Sequence, residues 1–155
     1  MADRADVLVV ANRTAGSPEL LEALKERAAR GPAKFHLLVP STPHGVTWAA
    51  DMHAGGSEAE AHVRTAVERL RSEGLEVDDG KVGDPDPVAA VEDAVNFKEF
   101  DEIIVSTLPK HLSKWLKVDL PHRVERATGK PVTHVTATET KIEVGPRGRS
   151  VQTGV

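Results

Sequence analysis

The chain has 155 residues, 39% hydrophobic and 28% charged, the balance of a globular domain large enough for one buried core. A net charge of -4 excludes a general polyanion binder, and the absence of cysteine excludes disulfides and thiolate-held metals. Aromatics make up only 3%, so the core has to be built from Val, Leu, Ile and Ala.

The first apolar run, residues 7–11, follows a short charged start and is too brief for a signal segment or a membrane span. None follows it, so the expectation is a cytoplasmic protein without a membrane or nucleic-acid partner. Continuous β-branched runs of this length mark strands buried on both faces, as in parallel sheets. Ser17-Pro18-Glu19 reads as a helix N-cap with proline in the first turn, and Leu20, Leu21, Leu24 and Ala28 carry helical spacing to Gly31. Residues 34–40 supply a second strand around Phe35, Leu37, Leu38 and Val39.

Residues 41–56 read as a long irregular connection, and Ser57 with Glu60 as a capping box opening a helix through Val63, Val67 and Leu70 to about Gly74. Leu75, Val77 and Val82 predict a third, more polar strand, as suits a sheet edge. Residues 83–87, Gly-Asp-Pro-Asp-Pro, form a turn in which Asp84 and Asp86 act by turn and cap chemistry. A helix with Val88, Val91 and Val95 on one face follows, then a fourth strand over 102–106. A basic segment over 108–117 precedes a helix from about Leu120 to Thr128, with Asp119 as its N-cap. Gly129-Lys130-Pro131 ends that helix, and 132–137 is a fifth strand. Strands alternating with helices require a five-stranded parallel sheet with helices on both faces, a single α/β domain over 1–137 with a tail over 138–155.

Several of these segments together resemble a universal stress protein domain, of the adenine nucleotide alpha hydrolase-like superfamily. They are residues 7–11, the 83–87 turn, the helix after it, Asp101-Glu102-Ile103-Ile104-Val105, and Thr128-Gly129-Lys130-Pro131-Val132. The resemblance covers roughly residues 6–137 and rests on the order of elements. It implies strand order 3-2-1-4-5, a ligand crevice between strands 1 and 4, a stress-related role, and a homodimer formed through strand 5. Val132, Thr133, Val135 and Thr136 there lack protective charge. The crevice agrees with the rule that ligands bind where the strand order reverses.

The chain departs from the family's ATP-binding pattern. An acidic residue after strand 1 is replaced by Asn12. The Gly-x-x-Gly, nine-residue spacer and Gly-Ser or Gly-Thr pattern falls on Ser106, Pro109, Asp119 and Leu120, none of which matches. Pro109 has no N–H to give a phosphate, and a capping Asp119 carboxylate would stand where the phosphate belongs. The expectation is therefore a variant with no cofactor, with ATP or another adenine nucleotide as the disfavoured alternative.

What could hold a ligand instead is a wall of Asn12, Arg13 and Thr14 after strand 1 and Ser106, Thr107, Lys110, His111 and Lys114 after strand 4. Its charge suits a small anionic ligand bound by charge-assisted hydrogen bonds. The competing reading is a solvated helix face with Leu112, Trp115 and Leu116 turned inward. His44, Asp51, His53 and His62 match no metal-binding spacing, so no metal site is expected. No Gly-x-Ser-x-Gly surrounds Ser106, and neither a Walker A nor a Gly-x-Gly-x-x-Gly sequence occurs, so no catalytic residue is assigned. The reading is a non-catalytic small-ligand sensor or stress-related adaptor. Its rivals are a nucleotide-binding or nucleotide-hydrolysing protein using the Lys/His cluster, and an interaction module docking through Trp48 or Trp115.

Overall fold

A computed structural model describes residues 4–12, 14–41, 52–109 and 113–137, the side chains of 52–59 excepted. The elements in chain order are β1 (Ala5–Val10), α1 (Pro18–Ala29), β2 (Ala33–Pro40), α2 (Met52–Ser72), β3 (Lys81–Gly83) and α3 (Pro87–Phe97). They continue with β4 (Glu102–Thr107), α4 (Lys114–Lys117), α5 (Leu120–Thr128) and β5 (Val132–Thr136). The five strands form one sheet in the order β3-β2-β1-β4-β5, and every pairing is parallel. The strand order that the resemblance implies is the observed one.

Alternation along the central strands divides the core into two layers. Val7, Val9, Phe35 and Leu37 pack with Leu20 and Leu24 of α1 and with Val63, Val67 and Leu70 of α2. Leu8, Val10, Leu38, Ile103 and Val105 turn to the other face, against Ala90 and Val91 of α3 and Leu120 and Val124 of α5. A strand covered on both faces has little polar side to show, which is why these segments read as largely apolar runs.

The helix ends follow local chemistry. Ser17 Oγ accepts from the Leu20 N–H at 3.1 Å, and Asp86 Oδ1 accepts from the Val88 N–H at 3.1 Å, each just before a first-turn proline. The Asp84 carboxylate accepts the Asp86 N–H at 2.8 Å, closing the turn before α3.

Three expectations are corrected. The second helix opens at Met52, so Ser57 and Glu60 lie inside it and form no capping box at its start. Once nucleated, a helix of 21 residues propagates through Gly55 and Gly56 at about 1 kcal/mol each. The third strand is split: Val77 makes only an isolated bridge to Phe35, and regular pairing resumes at Lys81. Between them the Asp78 carboxylate accepts the Gly80 N–H at 2.8 Å, and Gly80 turns at φ +77°. Finally, Asp119 starts α5 without capping it. Its carboxylate accepts from His122 Nδ1 at 3.0 Å. Pro121 removes one of the two N–H groups an N-cap side chain normally serves, and Asp119 adopts a left-handed backbone at φ 57°.

Candidate functional site

The carboxyl ends of β1 and β4 lie side by side at the centre of the sheet, with Val10 opposite Val105. Beyond them opens a cavity of about 900 Å³. Asn12 and Thr14 enter it from the turn after β1, Ser106 and Thr107 from the end of β4, and Lys114 from α4. Five of the eight residues expected from sequence are thus brought together. The other three, Arg13, Lys110 and His111, lie outside the described residues, as do Trp48, His44, Asp51 and the tail over 138–155.

The floor is built from buried hydroxyls. Thr14 and Ser106 are 3% and 1% exposed, and their hydroxyl oxygens lie 2.6 Å apart, joining the two central strands. Thr107 Oγ1 donates to the Leu108 carbonyl at 2.8 Å and lies 2.7 Å from His134 Nε2 on β5. The turn after β1 is tied from two sides: the Asn12 carbonyl accepts from the Ala15 N–H and from His62 Nε2, each at 3.1 Å. That contact gives His62, weighed above as a metal ligand, a role in holding the turn.

The walls contain residues that sequence reasoning did not assign. Ser41 arrives from the end of β2, Asp86 and Val88 from the start of α3, and Ser113, Trp115, Leu120 and Arg123 from α4 and α5. Ser113 caps α4, accepting the Leu116 N–H at 3.1 Å. Arg123 stands one turn into α5, close to the N-terminus of a helix whose first residue, Leu120, is fully buried in the cavity wall. The available signal was its place one turn beyond the final βα connection, at the crevice end of the sheet. Trp115 is partly buried against the core layer beneath α3 and α5 and also lines the cavity. Asp119 does not line it.

Among the described residues the cavity lining holds two cations, Lys114 and Arg123, and one carboxylate, Asp86. Among the described residues, Lys114 and Arg123 form neither an ion pair nor a side-chain hydrogen bond. The carboxylate of Asp86 is engaged in capping α3. Pro85, Pro87, Val88, Leu108, Trp115 and Val118 supply an apolar side, and Val118 is half exposed. An amphipathic small molecule with one anionic end meets each of these surfaces. Among the described residues no group of three His, Asp or Glu side chains gathers as metal ligands, and no helix is long and apolar enough to cross a membrane.

No protein-family model and no curated protein matches this chain. Solved structures do. A universal stress protein from Archaeoglobus fulgidus is 18% identical at a TM-score of 0.59, covering 84% of this chain and 93% of its own. A universal stress protein solved in complex with cAMP is 21% identical at 0.56, covering 86% and 98%. An Arabidopsis thaliana universal stress protein family member with AMP bound is 14% identical at 0.59, covering 86% and 92%. The strand order, the two helical layers and these likenesses together give the chain the fold of the universal stress proteins.

Proposed function

We propose that this chain is a non-catalytic small-ligand sensor or adaptor of the universal stress protein type, holding an anionic ligand at the switch point of its sheet. The observation that carries this reading is a pair of cations, Lys114 and Arg123, that form no ion pair among the described residues and line a cavity whose floor is buried hydroxyls. Arg13, Lys110 and His111, adjacent in sequence, would add to the positive wall. A second reading, a nucleotide-binding protein, is supported by similar structures solved with cAMP and with AMP. Magnesium-ATP is expected to bind weakly, because Pro109 offers no amide to a phosphate and Leu120 offers no hydroxyl. The reading includes a homodimer through β5, an edge strand on which Thr133, His134 and Thr136 are exposed.

Native mass spectrometry of freshly purified protein should show twice the chain mass and a small acidic ligand. A bare monomer at micromolar concentration overturns the assembly. Calorimetry with AMP then addresses the site. Replacing Lys114 and Arg123 together by alanine should weaken binding more than about tenfold, since each charge-assisted hydrogen bond to the ligand contributes about 1.5–3 kcal/mol. Melting should move by no more than about 2 °C, because both side chains are exposed. Unchanged affinity would remove the cations from the site. A large loss of stability would instead make the lysine stem a structural cover for Trp115. Sub-micromolar affinity for magnesium-ATP would reject the expected weakness of the phosphate grip.

A further inference from the structure

The cavity and the outer strand of the described sheet share one hydrogen-bonded pair. Thr107 ends β4, is 2% exposed and lines the cavity. Its Oγ1 lies 2.8 Å from the Leu108 carbonyl oxygen and 2.7 Å from His134 Nε2. A threonine hydroxyl carries one proton. Only one assignment makes both contacts hydrogen bonds: Thr107 donates to the carbonyl, and the Nε2–H of His134 donates to Thr107. Partial burial of the ring lowers the pKa of His134 from its ordinary 6.5, which favours the neutral ring with a single N–H to place.

The consequence for the cavity is chemical. With its proton committed to Leu108, the Thr107 oxygen keeps one lone pair and can only accept. It suits a ligand O–H or N–H and disfavours an anionic oxygen. Lys114 and Arg123, on α4 and α5, suit the reverse. The two walls together would orient a ligand with its donor group at β4 and its anionic group at the helices.

His134 also belongs to the outer strand, where Val105 lies opposite it and, among the described residues, β4 is the paired neighbour. We propose that His134 is a positioning residue for the cavity: it makes the Thr107 hydroxyl an acceptor toward the ligand, and it ties cavity occupancy to the exposed edge of β5. This rests on the ligand-binding reading above. Coupling of this kind is reciprocal, so whatever fixes the imidazole from the edge favours occupancy, and occupancy favours the fixed imidazole.

The test is a nitrogen-edited magnetic resonance titration of the whole chain with AMP, reading the side chains of His134, Trp115 and His36. Before AMP is added, His134 should show the Nε2–H tautomer, and a ring protonated only at Nδ1 overturns the proposal. On addition, Trp115 and His134 should move together while His36, near the opposite end of the sheet, stays still. The His134→Leu variant should bind AMP roughly three- to tenfold more weakly, the loss of one neutral hydrogen bond. His134→Gln, which keeps an N–H donor, should recover most of that affinity. If Trp115 moves while His134 does not, and His134→Leu binds AMP like the wild type, this proposal fails and the ligand-binding reading stands. If Trp115 does not respond to millimolar AMP, the nucleotide-type ligand and this proposal fall together.

Discussion

Replacing Gly80 by alanine should lower stability by roughly 2–5 kcal/mol, a large fraction of what a domain of this size possesses. Two separate costs add. Gly80 turns at φ +77°, where a side chain costs about 1–2 kcal/mol. A Cβ there would also stand 2.5 Å from Val63 Cγ1 and 3.0 Å from Val67 Cγ2, inside the contact between α2 and the sheet. Overpacking of this kind costs about 1–3 kcal/mol. Neither valine can retreat easily, because both are nearly fully buried. The melting temperature should fall by roughly 5–15 °C. Gly129 supplies the internal control. It has a similar φ of +71°, yet a Cβ there meets nothing within 4 Å. Gly129→Ala should therefore cost only the backbone part, about 1–2 kcal/mol. Equal losses in the two variants, measured by chemical denaturation, would show that α2 yields and the close approach is unimportant.

The same residue shows where the sequence was hard to read. β1, β2 and β4 were legible as strands because they are buried on both faces, and burial of that kind leaves a short, largely apolar run; their order in the sheet came from the resemblance. The third strand carries no such run. Leu75, Val77 and Val82 suggest one continuous strand, but the Asp78 side chain and Gly80 form a turn that divides it. The early start of α2 was hidden for the opposite reason. Gly55 and Gly56 look like breakers, while helix cooperativity over 21 residues outweighs them.

The candidate site was half legible. Asn12, Thr14, Ser106 and Thr107 follow from topology alone, since a parallel sheet with this order must bring the ends of β1 and β4 together. Arg123 and Ser113 depend on how the chain folds back between β4 and α5, which no periodicity encodes. Asp119 misled for a local reason: an aspartate before a helix normally caps it, but here Pro121 and His122 redirect the carboxylate. His36 was passed over because it sits within an apolar strand, between Phe35 and Leu37.

His36 carries the last prediction. It is 9% exposed, and its ring lies edge-on to Phe100 with centroids 5.2 Å apart. Its Nε2 is 2.9 Å from an Asp6 carboxylate oxygen and its Nδ1 is 2.9 Å from an Asp78 oxygen. Both contacts are hydrogen bonds when both ring nitrogens carry a proton. Lys98 Nζ stands 3.6 Å from the second Asp6 oxygen. Burial by itself raises the Asp6 pKa, but the His36 hydrogen bond and the Lys98 charge outweigh it, and the net shift is downward from 3.8. A carboxyl group depressed in the folded state stabilises the fold above its unfolded pKa and loses that contribution as pH falls through the folded value. His36→Phe keeps the ring volume and the contact with Phe100, yet leaves two part-buried carboxylates without their common donor. It should cost roughly 1–3 kcal/mol at neutral pH. The gap to the wild type should hold down to about pH 4 and narrow below it, as Asp6 becomes protonated in the wild type. Urea denaturation of both proteins across that range measures the gap directly. A phenylalanine variant as stable as the wild type at neutral pH would mean that desolvation of the clamp cancels its attraction. A gap that stayed constant to pH 2 would separate the loss from Asp6 and assign it to packing.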